Sequence, residues 1–270
     1  MKRDIFHYQI EELVPYIDWS YFFHAWGLGH SKSNGAAMSD VRHDAECILK
    51  ELNGKYRTHA MFALCDARSE EDNIIIEDTL FPLLRQQHAQ AGKPNLCLSD
   101  FISPKNDQAG LFATSTDAMF GAEYKDDIYK RVIVQILADR LAEATATLLH
   151  RHVRTDSNLW GYAPDEKLTI AELHQEKNQG IRPAVGYPSL PDQSVIFLID
   201  KILDIKEIGI KLTSNGAMSP HASVCGLMFS HPASHYFAVG KISHEQFTDY
   251  AKRRDIPMAE LHKYLSKNIE

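Results

Sequence analysis

No two of the four cysteines, Cys47, Cys65, Cys97 and Cys225, form a C-x-x-C pair. That excludes a zinc knuckle or a dithiol redox motif, and the expectation is of buried, reduced thiols in a cytosolic protein. No uninterrupted apolar run is long enough to span a bilayer. The opening Met1-Lys2-Arg3-Asp4-Ile5 has basic residues without a following apolar core, so it does not read as a secretory signal. A cytoplasmic location without a membrane partner is the simplest expectation. Positive charge is short: 29 Lys and Arg stand against 36 Asp and Glu, for a net charge of −7. This argues against nucleic acid as the main partner, because such partners favour a basic surface. The sequence shows no internal repeat, no low-complexity segment and no linker-like stretch from Asp126 onward. A single domain over residues 1–270 is therefore expected.

What is present is ordinary for a soluble globular chain, with 44% hydrophobic and 24% charged residues. Asp18 precedes Trp19-Ser20-Tyr21-Phe22-Phe23 as the N-cap of a helix. Residues 36–52 form an amphipathic helix on Val41, Ala45, Ile48, Leu49 and Leu52, with Gly54 as a stop. Residues 60–65 and 73–77 read as strands around Ser69-Glu70-Glu71-Asp72, and Leu96-Cys97-Leu98 as a third strand. The longest regular piece runs from about Asp126 to Arg154, with Val132, Ile136, Ala144 and Leu148 as its apolar positions. Thr169-Ile170-Ala171-Glu172 has the capping-box spacing of a further helix. Residues 195–203 read as helical. Residues 222–229 and 236–242 read as antiparallel strands joined by His231-Pro232-Ala233-Ser234. Ser243-His244-Glu245-Gln246 repeats the capping-box spacing, so helices close the chain. Strands and helices do not alternate regularly, which predicts an α+β fold with a central antiparallel sheet flanked by helices.

Chemistry concentrates in Gly180-Ile181-Arg182-Pro183-Ala184-Val185-Gly186-Tyr187-Pro188. Its prolines stiffen the backbone and its glycine keeps it thin. The segment reads as a rigid loop presenting Arg182 and Tyr187. The arginine fork suits a carboxylate or a phosphate. A turn with a surface arginine accounts for the same residues equally well. Asp139 and Glu143 share a face of the long helix, and an ion pair with Arg140 or another basic residue is the simpler reading of that spacing. Gly27-Leu28-Gly29 lacks the rest of a dinucleotide fingerprint, which argues against a Rossmann-type methyltransferase. His231 and His235 have a metal-like spacing, but Pro232 breaks the helix such a spacing would need.

The arginine loop closely resembles the R-P-A-P-G-Y-P signature of the reactivation domain of cobalamin-dependent methionine synthase. The resemblance continues in order through Tyr16-Ile17-Asp18-Trp19, Leu137-Ala138-Asp139-Arg140-Leu141-Ala142-Glu143-Ala144 and Trp160-Gly161-Tyr162-Ala163-Pro164. It goes on through Gly209-Ile210-Lys211-Leu212-Thr213, Phe229-Ser230-His231-Pro232, Tyr236-Phe237-Ala238-Val239 and Tyr250-Ala251-Lys252-Arg253-Arg254. It implies a single helmet-shaped α+β domain that binds S-adenosylmethionine (AdoMet). By this resemblance Glu143 and Asp18 fall on the family's ligand-contacting acids and Arg182 on the signature arginine. Ala184, Gly186 and Tyr187 complete the loop. Tyr236 and Phe237 fall on two adjacent tyrosines, the second without its hydroxyl here. On this reading Arg182 forks the ligand carboxylate. Asp18 and Glu143 serve its ammonium and sulfonium, with the assignment between them open. Tyr187 and Tyr236 cover the base or the sulfur.

Two departures stand out: Val185 replaces the second signature proline, which should loosen the loop slightly, and Gln193 stands where the family often has histidine. His24-Ala25-Trp26-Gly27 matches half of the cobalamin-binding D-x-H-x-x-G signature, but Phe22 occupies the aspartate position. Cobalamin is therefore expected only on a partner. The resemblance implies that such a domain docks over a cobalamin domain. An electron from flavodoxin or a similar reductase then yields cob(I)alamin, which AdoMet methylates, leaving S-adenosylhomocysteine (AdoHcy). No cobalamin, homocysteine or folate module is read in these residues. Action in trans on a separate cobalamin-binding methionine synthase or corrinoid protein is expected. The alternative is a non-catalytic AdoMet- or corrinoid-protein-binding module, a chaperone or sensor.

Overall fold

The computed structural model describes residues 1–28, 35–89 and 91–270, so Gly29 of the Gly27-Leu28-Gly29 stretch lies outside the described residues. The chain begins with β1 (Lys2–Gln9), α1 (Ile10–Leu13), α2 (Trp19–Ala25) and α3 (Gly35–Leu52). Next come β2 (Arg57–Glu70), β3 (Asn73–Ile76), β4 (Thr79–Pro82) and β5 (Asp107–Thr116). The long helix α4 (Ile128–Thr155) is followed by α5 (Ile170–His174), α6 (Ile196–Leu203), β6 (Lys211–Leu212), β7 (Met218–Ser219) and β8 (Ser223–Met228). Helices α7 (His244–Arg254) and α8 (Met258–Leu265) close the chain.

The main sheet has the order β4-β3-β2-β5-β8, with β1 added along the first part of β2. Every pairing is antiparallel, with Phe62 opposite Phe112 and Ala113 opposite Cys225. This is the expected α+β architecture. Side chains alternate across a strand, and here both faces are covered. Ala60 and Phe62 join the core beneath α3 and α4, while Met61, Ala63 and Cys65 join the one beneath α6. A strand buried on both faces reads as a continuous apolar run, which is why residues 60–65 were legible. A third cluster packs α7 and α8 against Leu84, Val239 and Ile242. That end is tied in by a buried network. Tyr250 Oη donates to Asp192 Oδ2 at 2.8 Å, Arg254 Nε lies 3.3 Å from the same oxygen, and Arg254 Nη2 donates to Ser194 Oγ at 2.8 Å. Among the described residues, no helix is long and apolar enough to cross a membrane.

The caps are local and behave as the sequence predicts. Asp18 accepts from Ser20 N–H, Thr169 forms a full capping box with Glu172, and Ser243 accepts from Gln246 N–H. The Gln246 side chain, however, donates to Arg85 O instead of closing a second box. Several expectations are corrected. The strand predicted at 60–65 extends over Arg57–Glu70, so Ser69 and Glu70 belong to it and not to the turn. Leu96-Cys97-Leu98 is not a strand: a 3₁₀ turn, Leu98–Phe101, starts there. Cys97 N–H donates to Asp100 Oδ2, and Arg85 grips both Asp100 and Asp72. On α4 the buried stripe is Ile133, Leu137, Leu141, Ala144 and Leu148, while Val132 faces out. Residues 236–242 form no strand with β8, because both edges of β8 are already occupied. Strand β5 takes one edge and the arginine loop the other, through Ile181 opposite Phe229 and Ala184 opposite Gly226. Residues 236–239 lie instead along the end of that loop, with Val239 N–H donating to Pro188 O at 2.9 Å.

Cys65, Cys97 and Cys225 are buried and Cys47 is half-buried, all unpaired. Burial pushes the Cys97 thiol up to about 11 and the Cys65 thiol up to about 12. Both stay protonated and act as small apolar fillers.

Candidate functional site

Glu143 and Thr147 stand one turn apart on the same face of α4. That helix lies close on the sheet through small and hydroxyl residues. Thr145 Oγ1 donates to Thr58 Oγ1 at 2.8 Å, and Thr114 Oγ1 donates to the Ala142 carbonyl at 3.0 Å. The 180–188 loop faces these two residues from the edge of β8. Val185 N–H donates to Cys225 O at 2.9 Å, and Leu227 N–H to Pro183 O at 3.1 Å. The approach is close enough that a Cβ on Gly226 would lie 2.2 Å from Pro183 O and 2.8 Å from Ala184 Cα. Gly186, at φ +84°, then turns the chain so that Tyr187 comes back toward α4. Val185 does not loosen this loop. Its N–H makes a bond that a proline would lack, and its side chain is buried in the core.

Four sequence-predicted residues meet here. Tyr187 Oη donates to Glu143 Oε1 at 2.6 Å. Arg182 Nη1 stands 3.5 Å from Glu143 Oε2, long for a charge-assisted bond, and its Nη2 donates to Thr147 Oγ1 at 3.0 Å. The backbone N–H of Arg182 donates to Tyr236 Oη at 3.0 Å. Burial disfavours the Arg182 charge, but Tyr236 and Glu143 more than offset this, and its pKa is raised. Burial, with the Glu143 charge beside it, likewise raises the Tyr187 phenol, which remains a hydrogen donor. Behind the arginine, His150 Nε2 lies 2.9 Å from Tyr162 Oη. Burial, with Arg154 and Arg182 nearby, holds His150 well below its ordinary value, so the ring is neutral. Arg154 is itself compensated by Glu166 at 2.6 Å.

The other candidates are placed differently. Asp18 lies on the segment leading into α2, which runs along α4. Arg151 donates to Tyr16 Oη at 2.8 Å, and the Arg140 guanidinium stands 5.7 Å from the Tyr21 ring centre. Those contacts bracket the α4 turn that carries Glu143 and Thr147. The Asp18 carboxylate accepts from Ser20 N–H at 2.9 Å, as a helix cap. The Phe237 ring packs against Phe101, 6.4 Å between centres, and its N–H donates to Ser189 Oγ at 3.1 Å. Ala184 and Gly186 contribute the turn's backbone: Tyr187 N–H donates to Ala184 O at 3.2 Å and Gly186 N–H to Leu190 O at 2.8 Å. Gln193 Nε2 donates to Gly216 O at 2.9 Å. Asp139 pairs with exposed His221 at 3.2 Å rather than with Arg140. His231 and His235 sit in a turn closed by Ser234 N–H to His231 O at 3.0 Å. Thr147 and Gly226 were not foreseen, and Tyr162 stood only inside a matching block with no role assigned. The signals that could have found them were the four-residue spacing from Glu143 and a glycine inside a strand pattern.

One arginine, one carboxylate and two phenols, all partly exposed, converge where the arginine loop faces α4, a set that suits a zwitterionic ligand with a flat ring. Among the described residues, no group of three or more His, Cys, Asp or Glu gathers as a metal cage. An open groove of about 410 Å³ lies elsewhere, lined by Asp66, Arg68, Glu77, Lys105 and Asp107 at the β2–β3 side of the sheet, away from β8. Its charges are mixed and it shares no residue with the Arg182–Glu143 cluster.

Comparison with known proteins bears on this cluster. The family described as vitamin B12 dependent methionine synthase, activation domain, matches residues 9–255. A crystal structure of the MetH reactivation domain bound to AdoHcy superimposes with a TM-score of 0.91 at 37% sequence identity. The match covers 100% of this chain and 90% of that one.

Proposed function

The chain belongs to the family of vitamin B12 dependent methionine synthase activation domains, and we propose that it binds AdoMet and AdoHcy in the cleft between α4 and the arginine loop. The observation that carries this reading is the convergence of Arg182, Glu143, Tyr187 and Tyr236. A 37% identical domain holding AdoHcy supports it. In the proposed complex Arg182 keeps Thr147 as an anchor and turns its free donors to the ligand carboxylate. Glu143 and, across α4, Asp18 face the ammonium and the sulfonium. Ala184 and Gly186 let the ligand lie against the loop backbone, with Phe237 and Ser189 bracing it. Tyr187 and Tyr236 cover the ring or the sulfur.

The proposed role is reactivation of a cobalamin-dependent methionine synthase by reductive methylation of cob(II)alamin. The cobalt chemistry belongs to a cobalamin held by another protein, methionine synthase or a related corrinoid protein, and the electron to a flavodoxin-type reductase. This chain's residues bind, orient and electrostatically prepare the methyl donor. We further propose that residues 1–270 act as one cytoplasmic domain that docks on the cobalamin-bearing unit. Arg253, near the end of α7, reaches back to Asn73 Oδ1 at 2.8 Å.

The test is a methyl-transfer assay with AdoMet, a reductant and a cobalamin-loaded partner protein. Formation of methylcobalamin that depends on this chain supports the role. Normal AdoMet binding without transfer to any cobalamin protein of the same source assigns the chain to a non-catalytic binding module instead.

A further inference from the structure

His7 on β1 and His59 on β2 are register partners and face each other on one side of the sheet. Their Nδ1 atoms are 2.7 Å apart, and the rings meet nearly at right angles, with centres 4.9 Å apart. His59 Nε2 lies 2.9 Å from Asp117 Oδ1, and the other oxygen of that carboxylate accepts the Arg57 N–H at 2.7 Å. An ionised carboxylate only accepts. The His59 ring proton therefore sits on Nε2, and its Nδ1 offers a lone pair toward His7. The single hydrogen in the 2.7 Å contact belongs to His7, whose ring is exposed and can carry its proton on Nε2 toward water instead. In that tautomer neither Nδ1 carries a hydrogen, and both lone pairs are free to turn toward one ion.

We propose that His7 and His59 form a two-histidine site for a divalent first-row transition ion such as zinc, with Asp117 as the carboxylate that fixes the His59 tautomer. A carboxylate on the far nitrogen of a ligating histidine is the usual orienting partner at such sites. Two nitrogens each about 2.0–2.1 Å from one zinc ion at a tetrahedral angle stand roughly 3.3 Å apart. The Nδ1 atoms, now 2.7 Å apart, must therefore part by about 0.6 Å and the rings turn, and the exposed His7 ring has the freedom to do so. Water completes the coordination, and the open side of His7 supplies the entry path. The Arg57 charge is felt at His7, and with the Gln9 amide turned over the Gln9 oxygen accepts from Arg57 Nε at 3.0 Å, which holds that guanidinium on Gln9. This site is separate from the arginine-loop cleft and does not depend on the function proposed for it.

The experiment is calorimetric titration of zinc chloride into the chelator-treated full chain, alongside His7→Gln, His59→Gln and Asp117→Asn, with circular dichroism to confirm folding. One zinc per parent chain is expected. His7→Gln and His59→Gln should each weaken that event at least ~10-fold, and Asp117→Asn by about 10–100-fold. Asparagine in place of Asp117 turns an amide donor toward His59 or frees its Nε2, so the ring can move its proton onto the ligating nitrogen. Zinc should raise the melting temperature of the parent and not that of His7→Gln. The assignment is overturned if the parent takes up no zinc, or if folded His7→Gln binds it as tightly as the parent. It is also overturned if the event disappears in Cys47→Ser, which would place the ion at exposed His43 and half-buried Cys47, 3.7 Å apart on α3.

Discussion

Arg182 is held by one long contact to Glu143 and one hydrogen bond to Thr147. Neither uses up the five donors of a guanidinium, so the side chain is positioned but has capacity left for a ligand. Arg182→Ala should weaken AdoMet by roughly 2–3 kcal/mol, the scale of a hydrogen bond to a charged group. Arg182→Lys should recover only part of this, since an ammonium cannot form the fork. Calorimetry on both variants checks the point, and parent-like affinity in both would make Arg182 a structural residue. Glu143 poses a finer question. Glu143→Gln keeps an acceptor for Tyr187 and removes the charge, so folding should be nearly unchanged. AdoHcy lacks the sulfonium charge but keeps the ammonium. If Glu143 serves the sulfonium, the variant loses more affinity for AdoMet than for AdoHcy; if it serves the ammonium, it loses both alike, and Asp18→Asn becomes the sulfonium test. Unchanged affinity for both ligands in both acid variants would leave the acids as ordinary ion-pair and capping residues.

Loop 180–188 works because it behaves as an added strand on β8, and Gly226 is what lets it sit so close. A methyl group there meets the Pro183 carbonyl at 2.2 Å, and backbone cannot step aside as a side chain can. Gly226→Ala should therefore destabilise the protein by about 1–3 kcal/mol, as overpacking does, and weaken AdoMet by displacing Arg182. Urea unfolding and ligand titration on the same sample read both effects. This element also shows where sequence reasoning stops. Helices announced by a cap were legible, because Asp18, Thr169 and Ser243 act on their own next turn. Strand β5 was not, since Ala109, Gly110 and Ala113 are small residues buried on both faces and give no alternation to read. Nor was the fate of residues 236–242, because which segment takes the free edge of β8 is a competition between parts of the chain far apart in sequence. The cleft followed the same rule. The resemblance supplied Glu143, Arg182, Tyr187 and Tyr236, whereas Thr147 and Gly226 became visible only when α4, the loop and β8 were brought together.

At the scale of the whole molecule, the arginine-loop cluster rests on an interior that avoids extra positive charge. His150 is enclosed beside Arg154 and Arg182 and stays neutral in the folded state, while in the unfolded chain it titrates near its ordinary value of 6.5. Below that value the unfolded state binds a proton that the folded state does not, so stability falls as pH falls. His152 shifts in the same direction, chiefly by burial. Each such group contributes at most about 1.4 kcal/mol per pH unit. Urea unfolding should therefore show a loss of stability from pH 7.5 to 5.5, and His150→Gln, which can still bond Tyr162, should flatten part of that slope. A slope identical to the parent's would mean that His150 is protonated in the fold. The central claim, a methyl-donor cleft between α4 and the arginine loop, is tested most directly by calorimetric titration of AdoMet into the isolated chain. The account predicts saturable one-to-one binding, competed by AdoHcy, with no heat from free cobalamin. No AdoMet binding at millimolar concentration would contradict it.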